Sequence, residues 1–203
     1  KGVRKEDVIK ELNFVNFFKL YFRRFGQIFW VNLFMVFGNL LCTIVTVSTA
    51  PFMNFEFFKV IVFILTLIIF YSLMFTAGYR DGDREQKYVR LHKAEPPKES
   101  KWVLIGIILM AIMFVPSLLL LLDKLCGWYF DMTFVHRIID GLVYPLSLMI
   151  VPENTIDSMD IFVPFIYMLC YAGIPVATHL GYYFGYTQKF NKDDIMSVSY
   201  THL

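Results

Sequence analysis

The chain has 203 residues, of which 57% are hydrophobic and 18% are charged, and its formal net charge is +2. Soluble domains have about a quarter of their residues charged, so this composition excludes an ordinary water-soluble protein and favours a single membrane domain, residues 1–197. The three cysteines, Cys42, Cys126 and Cys170, are widely spaced, which matches neither a disulfide framework nor a zinc site.

An amphipathic helix is the first predicted element. Its apolar face carries Val8, Val15, Phe18, Phe22 and Phe25. The opposite face carries Asn16, Lys19, Arg23 and Gln27. This pattern is typical of a helix lying in the membrane interface, with its cations among anionic lipid headgroups. A helix packed on protein is the alternative.

Four apolar runs follow, and none contains Lys, Arg, Asp or Glu. Each is long enough to cross a hydrocarbon core of about 30 Å, which takes about 20 helical residues. The runs are residues 28–50, 60–78, 102–122 and 161–184. We therefore predict an all-α membrane protein with four transmembrane helices. The Gly-Tyr-x-x-Gly that begins at Gly78 recurs at Gly181, each near the end of a span, which suggests two tandem helical hairpins.

The basic residues predict the orientation. Sixteen of the 19 Lys and Arg residues precede the first run, lie between the second and third runs, or follow the fourth. Because basic segments stay cytoplasmic, we expect both ends to face the cytoplasm of a bacterial cell, with the protein in the cell membrane. The charged stretch Arg80–Glu85 is expected to be a solvated loop. The outward segment 123–160 contains a short apolar run, residues 141–151, predicted to form an interfacial or re-entrant helix.

Small residues recur every four positions in the fourth run: Gly173, Ala177, Gly181 and Gly185. Such spacing lets two helix backbones approach closely, so we predict a helix-packing stripe. Its partner is either another helix of this chain, which we favour, or a second copy.

A candidate polar path begins on one face of the first run, with Asn32, Asn39, Thr43 and Thr46. In the fourth run, His179 lies one turn beyond Pro175, and Pro116 interrupts the third run. Intramembrane polar groups and broken helices are features of transporters. Hydrogen bonds between helices are the alternative explanation.

His136, Arg137 and Asp140 could meet on one helical face, and we interpret them as a surface charge pair. No motif places a Ser or Cys nucleophile near them, and no P-loop, HExxH or GxSxG occurs. We therefore expect no catalytic residues, no cofactor, no metal site and no binding to nucleic acid.

Three passages carry a resemblance: residues 17–26, residues 77–84 and residues 174–186. Through them the chain resembles a group of small multi-pass membrane proteins of Gram-positive bacteria, and more distantly the YesL-like family, which is associated with sugar-uptake systems. The resemblance implies no established activity, cofactor or catalytic residue. The last six residues, 198–203, read like a translated sequencing adapter, so we expect the native sequence to stop near Ser197.

The leading functional hypothesis is a non-enzymatic integral membrane protein, an accessory or assembly partner of a larger envelope or transport system. It would bind another membrane protein or a second copy of itself. The alternative is a small-solute or ion transporter or channel that uses the Asn/Thr face of the first run and the Pro/His region of the fourth.

Overall fold

The structure is a computed structural model that describes residues 5–91, 101–127, 132–151 and 155–187. Within these ranges, the side chains of residues 5–25, 27 and 134 are outside the description. The six residues 198–203 also lie outside the described part.

The described chain is helical. Its helices are α1 (Lys5–Thr49), α2 (Glu56–Arg90), α3 (Lys101–Cys126), α4 (Met132–Ile139), α5 (Tyr144–Ile150), α6 (Val163–Tyr171) and α7 (Ile174–Thr187). A short 3-10 turn, Ala50–Phe52, follows α1. Four stretches are long and apolar enough to cross a membrane: Ile28–Phe52, Glu56–Arg90, Lys101–Cys126 and Val163–Thr187. The predicted all-α, four-span fold is confirmed, and the protein is a multi-pass membrane protein.

The predicted amphipathic segment is helical, and its backbone continues into the first span as one helix, Lys5–Thr49. Its apolar and basic side chains lie outside the described residues, so the interfacial position stays a prediction.

The prediction of a solvated loop at Arg80–Glu85 is wrong. The second span does not end near Gly78, because α2 continues to Arg90. Gly78, Gly82 and Glu85 are all buried, and their spacing of four and three residues places them on one helical face. The extension is helical because this face packs against the rest of the bundle.

The two membrane faces can be named from the helix ends. We call the basic face the one at which α2 ends at Arg90 and α3 begins at Lys101. The opposite face is the one at which α1 ends at Thr49 and α3 ends at Cys126.

Helices α2 and α7 pack closely against each other, and glycines make this approach possible. A Cβ on Gly78 would lie 2.9 Å from the Tyr182 nitrogen, and a Cβ on Gly181 would lie 2.9 Å from the Phe75 carbonyl carbon. Gly185 is equally tight against the backbone of α2. The residue numbers increase together along the contact, so the two helices run parallel. The two Gly-Tyr-x-x-Gly segments therefore pack against each other.

A polar network closes the bundle at the basic face. Lys101 pairs with Glu85 and lies 3.6 Å from Asp81. The Tyr182 hydroxyl donates to Glu85 at 2.7 Å, and the Trp102 indole donates to Asp81 at 3.2 Å. The Trp102 and Tyr182 rings stack with centroids 5.8 Å apart. Together these contacts join the ends of α2, α3 and α7.

The fourth span is broken rather than continuous. α6 ends at Tyr171, α7 begins at Ile174, and Pro175 occupies the first turn of α7. Proline cannot donate a backbone hydrogen bond, which is the reason that the sequence predicted an interruption here. The Tyr71 hydroxyl of α2 donates to the carbonyl of Cys170, so a side chain from another helix satisfies a carbonyl next to the break.

Candidate functional site

Helices α4 and α5 form a re-entrant hairpin, residues 132–151, that enters the bundle from the opposite face. At one stem, the Met132 N–H donates to the Asp123 carboxylate at 3.1 Å, near the end of α3. At the other stem, the Lys59 ammonium donates to the Leu148 carbonyl at 3.4 Å, near the start of α2. Both stems are thus held at the same face, which favours the re-entrant form of the predicted short helix.

The hairpin tip, residues 140–143, is docked on the middle of α1. The Leu142 N–H donates to Asn39 Oδ1 at 3.1 Å. A Cβ on Gly141 would lie 2.7 Å from the Thr43 nitrogen, so only glycine allows this approach. Asn39 lies ten residues before Thr49, the end of α1, which corresponds to about 15 Å of helix at about 1.5 Å per residue. The tip therefore reaches about half-way across the hydrocarbon core.

A second helix holds the tip from the other side. The Thr66 hydroxyl of α2 donates to the Phe63 carbonyl of its own helix at 2.8 Å and also lies 3.4 Å from the Leu142 carbonyl. The Cys42 thiol lies 3.4 Å from the Thr66 carbonyl, and both side chains are buried. The tip thus contacts α1 and α2, and Cys42 immediately precedes Thr43, whose backbone nitrogen faces Gly141.

The hairpin carries a buried ionisable pair, His136 and Asp140. Their side chains are 4% and 0% exposed, and His136 Nε2 lies 2.9 Å from Asp140 Oδ2. The interpretation of this pair as a surface charge pair is wrong. The i, i+4 spacing does bring the two groups together, but α4 turns into the bundle instead of lying on its surface.

The Asp140 carboxylate is poorly compensated. Neither of its oxygens has a well-aligned hydrogen bond, despite the short distance to the imidazole. The Tyr171 hydroxyl faces this carboxyl but lies 3.4 Å from Asn39 Oδ1, to which it can donate. The carboxyl is fully buried, and burial of a charged group without aligned hydrogen bonds is costly. The site therefore disfavours a bare carboxylate.

Ser117 of α3 completes the cluster around the imidazole. Its hydroxyl lies 3.3 Å from His136 Nε2, the same nitrogen that faces Asp140. In a Ser-His-Asp triad the serine and the aspartate contact opposite ring nitrogens. Because both groups meet one nitrogen here, the arrangement suits sharing a proton between imidazole and carboxylate, and it does not suit activation of a serine nucleophile.

A small pocket of about 20 Å³ borders His136 on the side of the opposite face. Its lining includes Thr133, His136, Arg137, Ser147 and Tyr167. The Tyr167 ring lies against the imidazole, with centroids 5.0 Å apart. A space of this size accommodates about one water molecule.

The residues of the predicted polar path do not all meet. Asn39 and Thr43 contact the hairpin tip. Thr46 is buried, and its hydroxyl bonds to its own helix at the Cys42 carbonyl. Asn32 Oδ1 and His179 Nδ1 are buried without a hydrogen-bond partner. His179 lies on α7 beyond the helix break, in the half of the bundle nearer the basic face.

The residues of the predicted packing stripe also differ in what they contact. Gly181 and Gly185 contact the α2 backbone, whereas Gly173 faces the Tyr71 ring. Ala177 is partly buried against the core.

Comparisons with known proteins add no relative. No family model, curated protein or solved structure matches the chain. Sequence reasoning missed Ser117, because no motif links it to a histidine 19 positions later. It also missed Tyr167 and Tyr171, whose contacts with the pair depend on the fold.

Proposed function

We propose that the protein is a non-enzymatic transporter of an ion or small solute, and that the re-entrant hairpin is its moving element. One observation carries this proposal: His136 and Asp140 are enclosed about half-way across the membrane at the hairpin tip. Ionisable groups at such depth are costly and usually mark a substrate or ion pathway. Non-helical backbone at this depth is also tolerated only where protein or a water-filled cavity surrounds it.

A second broken element meets the same site. The fourth span is interrupted after Tyr171, and the hydroxyl of that residue faces Asp140 and Asn39. Discontinuous helices that meet at the membrane midplane are the usual binding architecture of secondary transporters. The half nearer the basic face is tightly packed through Gly78, Gly82 and their contacts on α7. A carrier that opens one side at a time therefore fits the packing better than an open channel.

The orientation is part of the proposal. The loop between α2 and α3 and both flanking segments contain most of the basic residues, and such segments remain cytoplasmic. We propose that the basic face is cytoplasmic in the cell membrane and that the hairpin enters from outside.

The accessory role expected from the sequence stays a prediction. Gly181 and Gly185 of the small-residue stripe pack on α2 of the same chain, as favoured, and so offer no surface to another protein. No reactive cluster was expected from the sequence, whereas Ser117, His136 and Asp140 lie together, which supports transport.

Cys42 offers a test without a known substrate, since a moving hairpin must expose this buried thiol to water. In intact cells, an impermeant thiol reagent is added to a chain that keeps Cys42 and has alanine at the other two cysteines. The matched control is Met35→Cys in a chain with all three native cysteines changed to alanine. Met35 is as fully buried as Cys42 on the same helix, but it lies two turns nearer the basic face.

We expect slow labelling of Cys42 and none of Met35→Cys. A chain that keeps only the exposed Cys126 should label quickly, which checks the orientation. If Cys42 is labelled no faster than Met35→Cys, the bundle is static and the transport proposal is overturned. Equal labelling of both buried positions would indicate general loosening and would also overturn it.

A further inference from the structure

The net charge of the buried pair, His136 and Asp140, depends on how many protons the pair holds. One carboxylate and one imidazole face each other, and neither Asp140 oxygen has an aligned hydrogen bond. With one proton shared between them the pair is neutral overall. Loss of that proton leaves a net negative charge, and gain of a second leaves a net positive charge. Either change is expensive in a buried position unless water enters.

Other charged and titratable groups lie on the elements packed around the pair. Arg137 and Tyr167 line the same pocket as His136, and Tyr171 lies beside Asp140 and near Cys42 and Cys170. Lys59 contacts the hairpin stem at Leu148. Asp123 accepts the Met132 N–H, and Lys124 donates to the carbonyls of Ile156 and Asp157. At the pair itself, an imidazole nitrogen and a carboxylate oxygen lie 2.9 Å apart, a geometry that holds one proton between them.

A metal ion is the other ligand that a buried carboxylate can take. Hard cations such as calcium need about six or more oxygen ligands. Over the described ranges, no group of three or more His, Cys, Asp and Glu side chains comes together. The amide oxygen of Asn39 already accepts the Leu142 N–H. The ligand set is therefore too small for a metal and sufficient for a proton.

The pocket beside His136 supplies a route for that proton. It has room for about one water molecule and is lined by Val151 and Met159, from the chain that leaves the hairpin on the opposite-face side. Towards the basic face, backbones pack closely at Gly106 and Gly78. The pocket therefore places a water-sized space beside the imidazole on the side of the opposite face.

We propose that the pair of His136 and Asp140 binds one proton from water on the opposite face, and that its loss undocks the hairpin tip. The ion coupled to transport is then H⁺. This inference rests on the transport function proposed above.

The test measures the labelling rate of Cys42, in the chain that keeps only this cysteine, from about pH 6 to about pH 9, a range that brackets imidazole titration. The same measurement is made with Asp140→Asn, which removes the negative charge at similar size. Since both chains label the same thiol, its intrinsic pH dependence cancels in their ratio. We expect the labelling rate of the chain with native Asp140, divided by the rate of Asp140→Asn, to rise with pH. The rise should be up to about tenfold per pH unit, the limit for loss of one proton.

Asp160→Asn is the matched control, because Asp160 is an exposed acid on the same side. The Asp160→Asn chain should show the same dependence of the Cys42 labelling rate on pH as the chain with native Asp160. If Asp140→Asn does not fold, the double variant His136→Gln/Asp140→Asn replaces it with the same expected result. A ratio that is constant with pH, while Cys42 still labels, overturns proton coupling and leaves transport standing. Absence of Cys42 labelling at every pH overturns both.

Discussion

The glycine contact between α2 and α7 yields a graded prediction. A Cβ on Gly181 would overlap the Phe75 carbonyl oxygen and lie 2.9 Å from its carbonyl carbon. Backbone cannot rotate away, so Gly181→Ala must push the helices apart. Overpacking costs about 1–3 kcal/mol, and the better helix propensity of alanine returns about 0.5–1 kcal/mol. We expect a net loss of about 1–2 kcal/mol in the free energy of unfolding.

Two other glycines provide matched controls. Gly26 has nothing within 4 Å of an added Cβ, so Gly26→Ala should be neutral or stabilising by up to about 1 kcal/mol. Gly38 meets only the side chains of Leu73 and Phe70, at 3.3 Å. These side chains can shift, and we expect Gly38→Ala to fall between the other two variants.

The measurement is unfolding in mixed detergent micelles with increasing SDS, followed by tryptophan fluorescence. Trp102 is fully buried and stacks on Tyr182 of α7, so its emission should change when α7 separates. The double variant Gly78→Ala/Gly181→Ala should lose less than the sum of the two single losses, because one separation relieves both overlaps. Equal stability of the Gly26, Gly38 and Gly181 variants would refute the close contact.

Two further predictions use the same unfolding assay. Lys101→Met should cost about 2 kcal/mol in the free energy of unfolding, because it leaves the buried Glu85 carboxylate without its cation. Lys87→Met, which breaks the exposed pair with Asp83, should cost under about 0.5 kcal/mol. Equal costs would contradict a structural role for the basic-face network. Tyr71→Phe should cost about 1 kcal/mol, because the Cys170 carbonyl loses its donor at the helix break; the exposed Tyr88→Phe is the control, and no difference between them would show that the carbonyl is satisfied in another way.

The sequence was sufficient for the spans and for the break in the fourth one. Long apolar runs depend on local composition, and Pro175 removes a helix donor. The interruption expected at Pro116 is wrong, because α3 continues through it from Lys101 to Cys126. The extension of α2 was missed because its charges suggested a loop. The spacing of Gly78, Gly82 and Glu85 was a helical signal that could have been recognised.

The candidate site could not be predicted from the sequence, because local sequence does not encode how deep a segment lies in the membrane. The spacing of His136 and Asp140 predicted that they could meet, but not that α4 turns inward. That turn follows from contacts with distant residues, Asn39 and Thr66, which lie about 100 and about 75 positions earlier in the chain. The same dependence on the fold placed Ser117 beside the imidazole.

The central claim is that the hairpin reaches the middle of the membrane, and spin-label depth measures this directly. Ile139, near the tip, and Ile150, at the end of α5, are both exposed on the bundle surface. Each is changed to cysteine in a chain without its native cysteines, labelled, and reconstituted in bilayers. We expect the label at 139 to be accessible to oxygen and shielded from a water-soluble nickel complex, about 10–15 Å deeper than the label at 150. Equal access of the nickel complex to both labels would place the hairpin at the surface and contradict the buried site.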